Sequence, residues 1–281
     1  MLKRIVAGIF LVAMGLSAPV AAQTPPPIKV LLVTGGGFHD YPKQRQILEA
    51  GLKARINATV THSYYDMQPG DPPRRPKLPI FGNPNYADGY DVVIHTECAG
   101  DVNDTPTVKG VLAPHIKGVP GVNLHCAMHT YRSGDRPKPV VIGEDRALWY
   151  EYVGIQSSGH GLQSPITLTL GEADNPIVKG MEMWVMPPDE LYNNVQHFGV
   201  TPLIKGQQMD AATEKERGEV FTVAWTHLYG PAKTRVFSMT PAHNESNMTD
   251  PRYLDIVARG VLWATNHLGE DGKPAPGYGA Q

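Results

Sequence analysis

The chain has 281 residues, with 25 basic side chains against 27 acidic ones, a formal net charge of −2. That balance excludes a basic groove able to track a phosphate backbone, so no nucleic-acid partner is expected. Two cysteines exclude a disulfide-dense scaffold, and the length suits one large α/β domain or two small ones, with a core that needs no staples.

The first 22 residues, MLKRIVAGIFLVAMGLSAPVAA, join a basic start (Lys3, Arg4) to an apolar run over 5–16 and a small-residue end at Val20-Ala21-Ala22. This pattern reads as a bacterial signal peptide over 1–22, cleaved near Ala22, and predicts a periplasmic or secreted protein. Losing Lys3 and Arg4 leaves 23 basic against 27 acidic residues, a charge of −4. No later segment approaches the roughly 20 apolar residues of a membrane span. Residues 23–27 read as a Pro-rich spacer, 28–268 as a single domain and 269–281 as a loose Gly/Pro-rich tail.

Within the domain, residues 28–33 (IKVLLV) form a nearly all-apolar run of the kind buried in a parallel sheet. A glycine turn, TGGGFHD, follows, and Asp40 with Pro42 predicts the start of a helix through about Arg55. A strand over 59–62 precedes a long proline-rich loop, 66–88, of a length that usually covers or lines something. Strands over 90–95 and 119–124 flank a helix over 107–116. This alternation predicts an α/β fold with a doubly wound, mainly parallel sheet, its functional groups gathered at the carboxyl ends of the strands. Later strands are expected over 166–170, 201–204, 220–224 and 235–239, and an amphipathic helix over 250–267 closes the chain.

GVNLHCAMHTYRSG, 121–134, delivers His125, Cys126 and His129 to that sheet edge. Cys126 is placed like a nucleophile, which requires a base, and the later Pro241-Ala242-His243-Asn244-Glu245 offers His243 with Glu245 as its orienting carboxylate. Equally, Cys98, just past the adjacent strand, lies at the same edge and is able to close a disulfide with Cys126. His39, His125, His129, His160 and His243 suit either acid/base catalysis or a divalent metal with nitrogen ligands. Glu190, in Asp189-Glu190-Leu191-Tyr192, is a candidate general acid/base. Trp225 offers a stacking face to a sugar, and Asp40 with His39 completes the polar set. Neither GxGxxG nor GxxxxGK occurs, so no nucleotide cofactor is expected.

Taken together, LLVTGGGFHD, YDVVIH, GVNLHCA, the Gly159-His160 pair, DNPIVKGM, DELY, AWTHLYG, RVFSMTPAH and RYLDIVARGVLWATNH resemble the ThuA-like (trehalose utilisation) family, over nearly all of 28–267. The resemblance implies a flavodoxin-like sheet of the class I glutamine amidotransferase-like group. It also implies a site lined by His39, His125, His160, Glu190 and His243, and a role in sugar utilisation on oxidised 3-keto-glycosides. Cys126 stands where the family commonly has serine, Asn175 where a histidine is frequent, and Ala242 where a glycine usually precedes the histidine. The expected function is a hydrolase or lyase on a glycoside or 3-keto-glycoside, with His125 and His243 as acid/base groups. The alternatives are a non-catalytic sugar-binding protein and a thiol enzyme built on Cys126. The expected partner is a small carbohydrate, and homo-oligomerisation is left open.

Overall fold

The computed structural model describes residues 25–171, 174–210, 212–213 and 215–281; the signal segment expected at 1–22 lies outside them. The chain runs β1 (Ile28–Gly35), α1 (Tyr41–Lys53), β2 (Ala58–Tyr65), β3 (Val92–His95), α2 (Thr105–Ile116) and β4 (Gly121–Leu124), then a 3₁₀ turn (His125–His129) and α3 (Leu148–Val153). It continues through β5 (Ile155–Gln156), β6 (Ser164–Leu170), β7 (Val185–Asp189), β8 (Gln196–His197), β9 (Thr201–Asp210), β10 (Lys215–Tyr229) and β11 (Thr234–Met239). Two helices, α4 (Glu245–Met248) and α5 (Pro251–Ala264), follow.

Among the described residues the main sheet has the order β2-β1-β3-β4-β11-β10-β9-β6-β7. The first five strands are parallel, which reproduces the flavodoxin-like order in which ligands bind at the switch between β1 and β3. The remaining four pair antiparallel. The cause is local: four residues join β10 to β11 and four join β9 to β10. Links this short cannot make a parallel crossover. The parallel half therefore follows the strand-helix alternation, and the antiparallel half extends it.

Strand alternation splits the core between the two faces of the sheet. Val30 and Leu32 of β1 pack with Leu48 and Leu52 of α1 and Val257 and Val261 of α5. Leu31 and Val33 pack with Val111 and Leu112 of α2 and Trp149 of α3. Each such aliphatic side chain, fully buried, contributes about 1.5–3 kcal/mol, so both faces of β1 anchor the loop that follows it.

Residues 269–281 are not loose. Ile56 pairs with Gly279 in an antiparallel bridge, Asn57 N donates to Tyr278 O at 3.0 Å, and the Tyr278 ring stacks on His267 at 3.6 Å. Composition alone concealed this, because one aromatic and a few backbone bonds suffice to pin a Gly/Pro-rich segment.

Candidate active site

Loops after β1, β3, β4 and β11 deliver His39, Cys98, His125 and His243 to the carboxyl edge of the parallel strands. The turn after β1 needs glycine: Gly36 has φ +137°, and a Cβ there would sit 2.9 Å from the Cys98 carbonyl oxygen. His125 itself has φ +46° and Ala242 has φ +83°, so both histidine-bearing exits are held in left-handed backbone. The 66–88 loop closes over the glycine turn, with Gly37 N donating to Pro73 O at 2.9 Å and Arg74 reaching the crevice.

Glu190 lies at the centre, just past the end of β7. Its Oε1 is 3.1 Å from His243 Nδ1, and its Oε2 is 3.3 Å from His160 Nε2 and 3.7 Å from His125 Nε2. The His39 ring stands edge-on to both His243 and His125, with centroids 4.6 and 4.9 Å away. The crevice holds about 270 Å³ and is lined by His39, His129, His160, Glu190, Tyr192 and His243 among others. His125 sits behind this lining, 5 % exposed. Its Nδ1 donates to the Thr240 carbonyl at 2.8 Å, which fixes the tautomer and leaves Nε2 as the acceptor. Tyr192 stacks on His129 at 3.8 Å, and His129 Nε2 meets Ser157 Oγ at 2.8 Å.

Charge follows this geometry. Burial opposes ionisation of Glu190, but the close approach of His243 and the neighbouring His125 and His160 outweigh it and hold the carboxyl below its usual range. Reciprocally, Glu190 raises the His243 imidazole. Burial pushes His39 down to about 2 and His125 to about 4, helped by their histidine neighbours, and burial takes His129 well below its ordinary value. The site thus presents an ionised carboxylate and a His243 imidazole made easier to protonate, beside neutral His39, His125 and His129.

Four expectations need correction. Cys126 is bonded to Cys98, so its sulfur is no thiolate nucleophile in this form. Thiol titration of the unreduced, denatured chain is expected to find no free thiol; two titratable thiols would reopen the thiol-enzyme reading. Glu245 does not orient His243: it accepts from Gln44 Nε2 at 3.2 Å, and Glu190 takes the place beside His243. Trp225 is 1 % exposed and donates to the Val153 carbonyl at 2.7 Å, because its position in β10 faces the core. Asp40 caps α1 through Lys43 N at 3.1 Å, as its place before Pro42 predicts, and it does not line the crevice with His39.

Sequence reasoning missed Asp189. Fully buried, it accepts from Glu190 N at 2.7 Å, Ala242 N at 2.9 Å, His243 N at 3.2 Å and Asn247 Nδ2 at 2.7 Å. It ties the Glu190 strand end to the His243 loop. The only signal available was an acidic pair after two prolines.

A family model described as ThuA, trehalose utilisation, matches residues 29–264. Among solved structures, a putative ThuA-like protein from Parabacteroides merdae is 19 % identical, with a TM-score of 0.59 over 90 % of this chain and 97 % of that one. A second, from Bacteroides uniformis, is 13 % identical, with a TM-score of 0.56 over 88 % and 96 %. No curated protein matches the chain. The family match spans most of the chain, and both structures share its fold; the chain belongs to the ThuA, trehalose utilisation, family.

Proposed function

We propose that this ThuA-family chain is an exported enzyme of carbohydrate utilisation, a hydrolase or lyase acting on a glycoside or 3-keto-glycoside. The observation that carries the reading is Glu190, an ionised carboxylate facing a crevice between His160 and His243. Export is supported by the N-terminal segment and by a buried disulfide, which persists in oxidising compartments. Kinship with the class I glutamine amidotransferase-like group is part of the same reading: Cys126 and His243-Asn244-Glu245 fall where that group's cysteine and His-X-Glu pair fall, with the thiol closed off.

A 3-keto group acidifies the neighbouring C2 proton. A base removes that proton, the C1–C2 double bond forms as the C1–O bond breaks, and an imidazolium protonates the departing oxygen. Addition of water across the double bond completes hydrolysis; release without it is the lyase outcome. Glu190 and His160 share the crevice wall and are assigned this proton traffic, while His243 holds Glu190 in place.

Mass analysis of products from the full mature chain is the test, on disaccharides and on their 3-keto forms. Turnover of the keto forms is expected, and Glu190→Gln is expected to lower it by about 10²–10⁴-fold, the range for a lost acid/base group. Near-normal rates in that variant would remove Glu190 from the chemistry. Sugar-induced thermal stabilisation with no product would instead favour a non-catalytic sugar-binding protein.

A further inference from the structure

We propose that His39, His125 and His243 form a binding site for one divalent transition-metal ion, with Glu190 supplying the neighbouring negative charge. The three imidazoles arrive from three strand exits, and each offers a ring nitrogen within 4.8 Å of the other two. A tetrahedral ion with Zn–N bonds near 2.0–2.1 Å needs its nitrogens about 3.4 Å apart, so ring rotations of about 1 Å close the set.

Two further observations point to an ion. The Nδ1 atom of His39 is buried without a hydrogen-bond partner. A buried nitrogen left without a partner costs about 1–3 kcal/mol, which a bound ion would offset. His243 Nδ1 faces a single partner, the Glu190 oxygen at 3.1 Å, which makes it a nitrogen beside a negative charge. Second, His125 is already dressed as a ligand. Its Nδ1–H is spent on the Thr240 carbonyl, so Nε2 keeps a lone pair, met by the Tyr192 hydroxyl at 3.4 Å, the arrangement that outer-sphere carbonyls impose on metal-bound histidines.

The donor set selects the ion. Three nitrogens with a carboxylate nearby suit zinc and its neighbours over calcium or magnesium, which prefer all-oxygen shells. Among the described residues the other cluster of suitable composition, His39 with Cys98 and Cys126, is unsuited because its two sulfurs are bonded to each other. The crevice beside the triad leaves a coordination position open, the mark of a site that takes a ligand. A bound ion there would act as a Lewis acid toward vicinal sugar oxygens, a keto oxygen included. The binding claim itself does not rest on the sugar reading.

The test is a titration of the full mature chain, stripped with chelator and left unreduced. Zn²⁺ binding is read by calorimetry and Co²⁺ binding by visible absorption. One equivalent is expected to bind, with Co²⁺ bands of a low-coordinate nitrogen and oxygen site and no thiolate charge-transfer band. His39→Ala and His125→Ala are each expected to weaken binding at least about 100-fold, whereas His62→Gln on β2 leaves it unchanged. Circular dichroism checks each fold; should His125→Ala misfold, the partly exposed His39 position decides alone. Absence of saturable binding, or undiminished affinity in His39→Ala, overturns the proposal. No turnover is measured, so failure here and failure of the carbohydrate reading remain distinct.

Discussion

Asp189→Ala is expected to cost about 3–5 kcal/mol of folding stability, at the upper end for a single substitution. The carboxylate is fully buried, and burial pushes its pKa up, yet it is surrounded by donors rather than by apolar side chains. The backbone amides of Glu190, Ala242 and His243 and the amide of Asn247 all point at it. Truncation would leave these donors without an acceptor, at about 1–3 kcal/mol for each that water fails to reach. It would also free Ala242, whose φ of +83° costs about 1–3 kcal/mol and persists only because its surroundings enforce it. Glu190 and His243 would then lose the peg that fixes their 3.1 Å approach. Asp189→Asn, with one acceptor oxygen in place of two, should fall between. Urea unfolding of the three proteins measures this, and a loss below about 1 kcal/mol in the alanine variant would show that the loop is held by other contacts.

What the sequence made legible follows from where each strand lies. β1, β3 and β4 are buried on both faces, so they read as unbroken apolar runs and reveal the parallel half of the sheet. β10 was legible only in its middle: its first six residues are exposed, and their polar sequence, KERGEV, carries no burial signal. β7, VMPPD, contains Pro187 and Pro188, which argue against a strand. It is tolerated because it lies at the edge of the sheet, where missing backbone donors face no partner. Since Glu190 follows directly on β7, the sequence suggested the residue but not the element that aims it.

The candidate site was legible in the same uneven way. Histidines that follow apolar runs converge because parallel strands end at one edge, so His39, His125 and His243 meet as their positions suggested. Trp225 misled because a strand residue's face is set by register, and β10 turns that side chain toward Val153. Asp189 stayed hidden because its meaning arises only when β7 and the loop after β11, more than fifty residues away, come together. The disulfide was a choice between two readings of the same sheet edge, and only the approach of Cys98 to Cys126 decides it.

Two histidines remote from the crevice are each expected to remove about 3 kcal/mol of stability between pH 7 and pH 4. His115 is fully buried. Its Nδ1–H donates to the Val119 carbonyl at 2.7 Å, and its Nε2 lies 3.2 Å from the Tyr152 hydroxyl and 3.1 Å from His95 Nε2. Burial and the neighbouring His95 lower it to about 3. His227, 6 % exposed, donates from Nε2 to the Glu151 carbonyl at 3.1 Å. Its Nδ1 is buried without a partner, and burial lowers it to about 4. In the unfolded chain both charge below about pH 6.5. Between that value and 3–4 the unfolded state therefore binds more protons than the folded one. The contribution is complete above pH 6.5, declines as pH falls, and levels off below the folded values. Each residue adds about 1.4 kcal/mol per pH unit inside the window. Urea unfolding at pH 7, 5.5 and 4.5 should show this slope in the parent, and His115→Gln and His227→Gln should each lower it by about one proton. Slopes that match the parent in both variants would mean that these imidazoles are already protonated in the folded protein, and that acid sensitivity originates elsewhere in the chain.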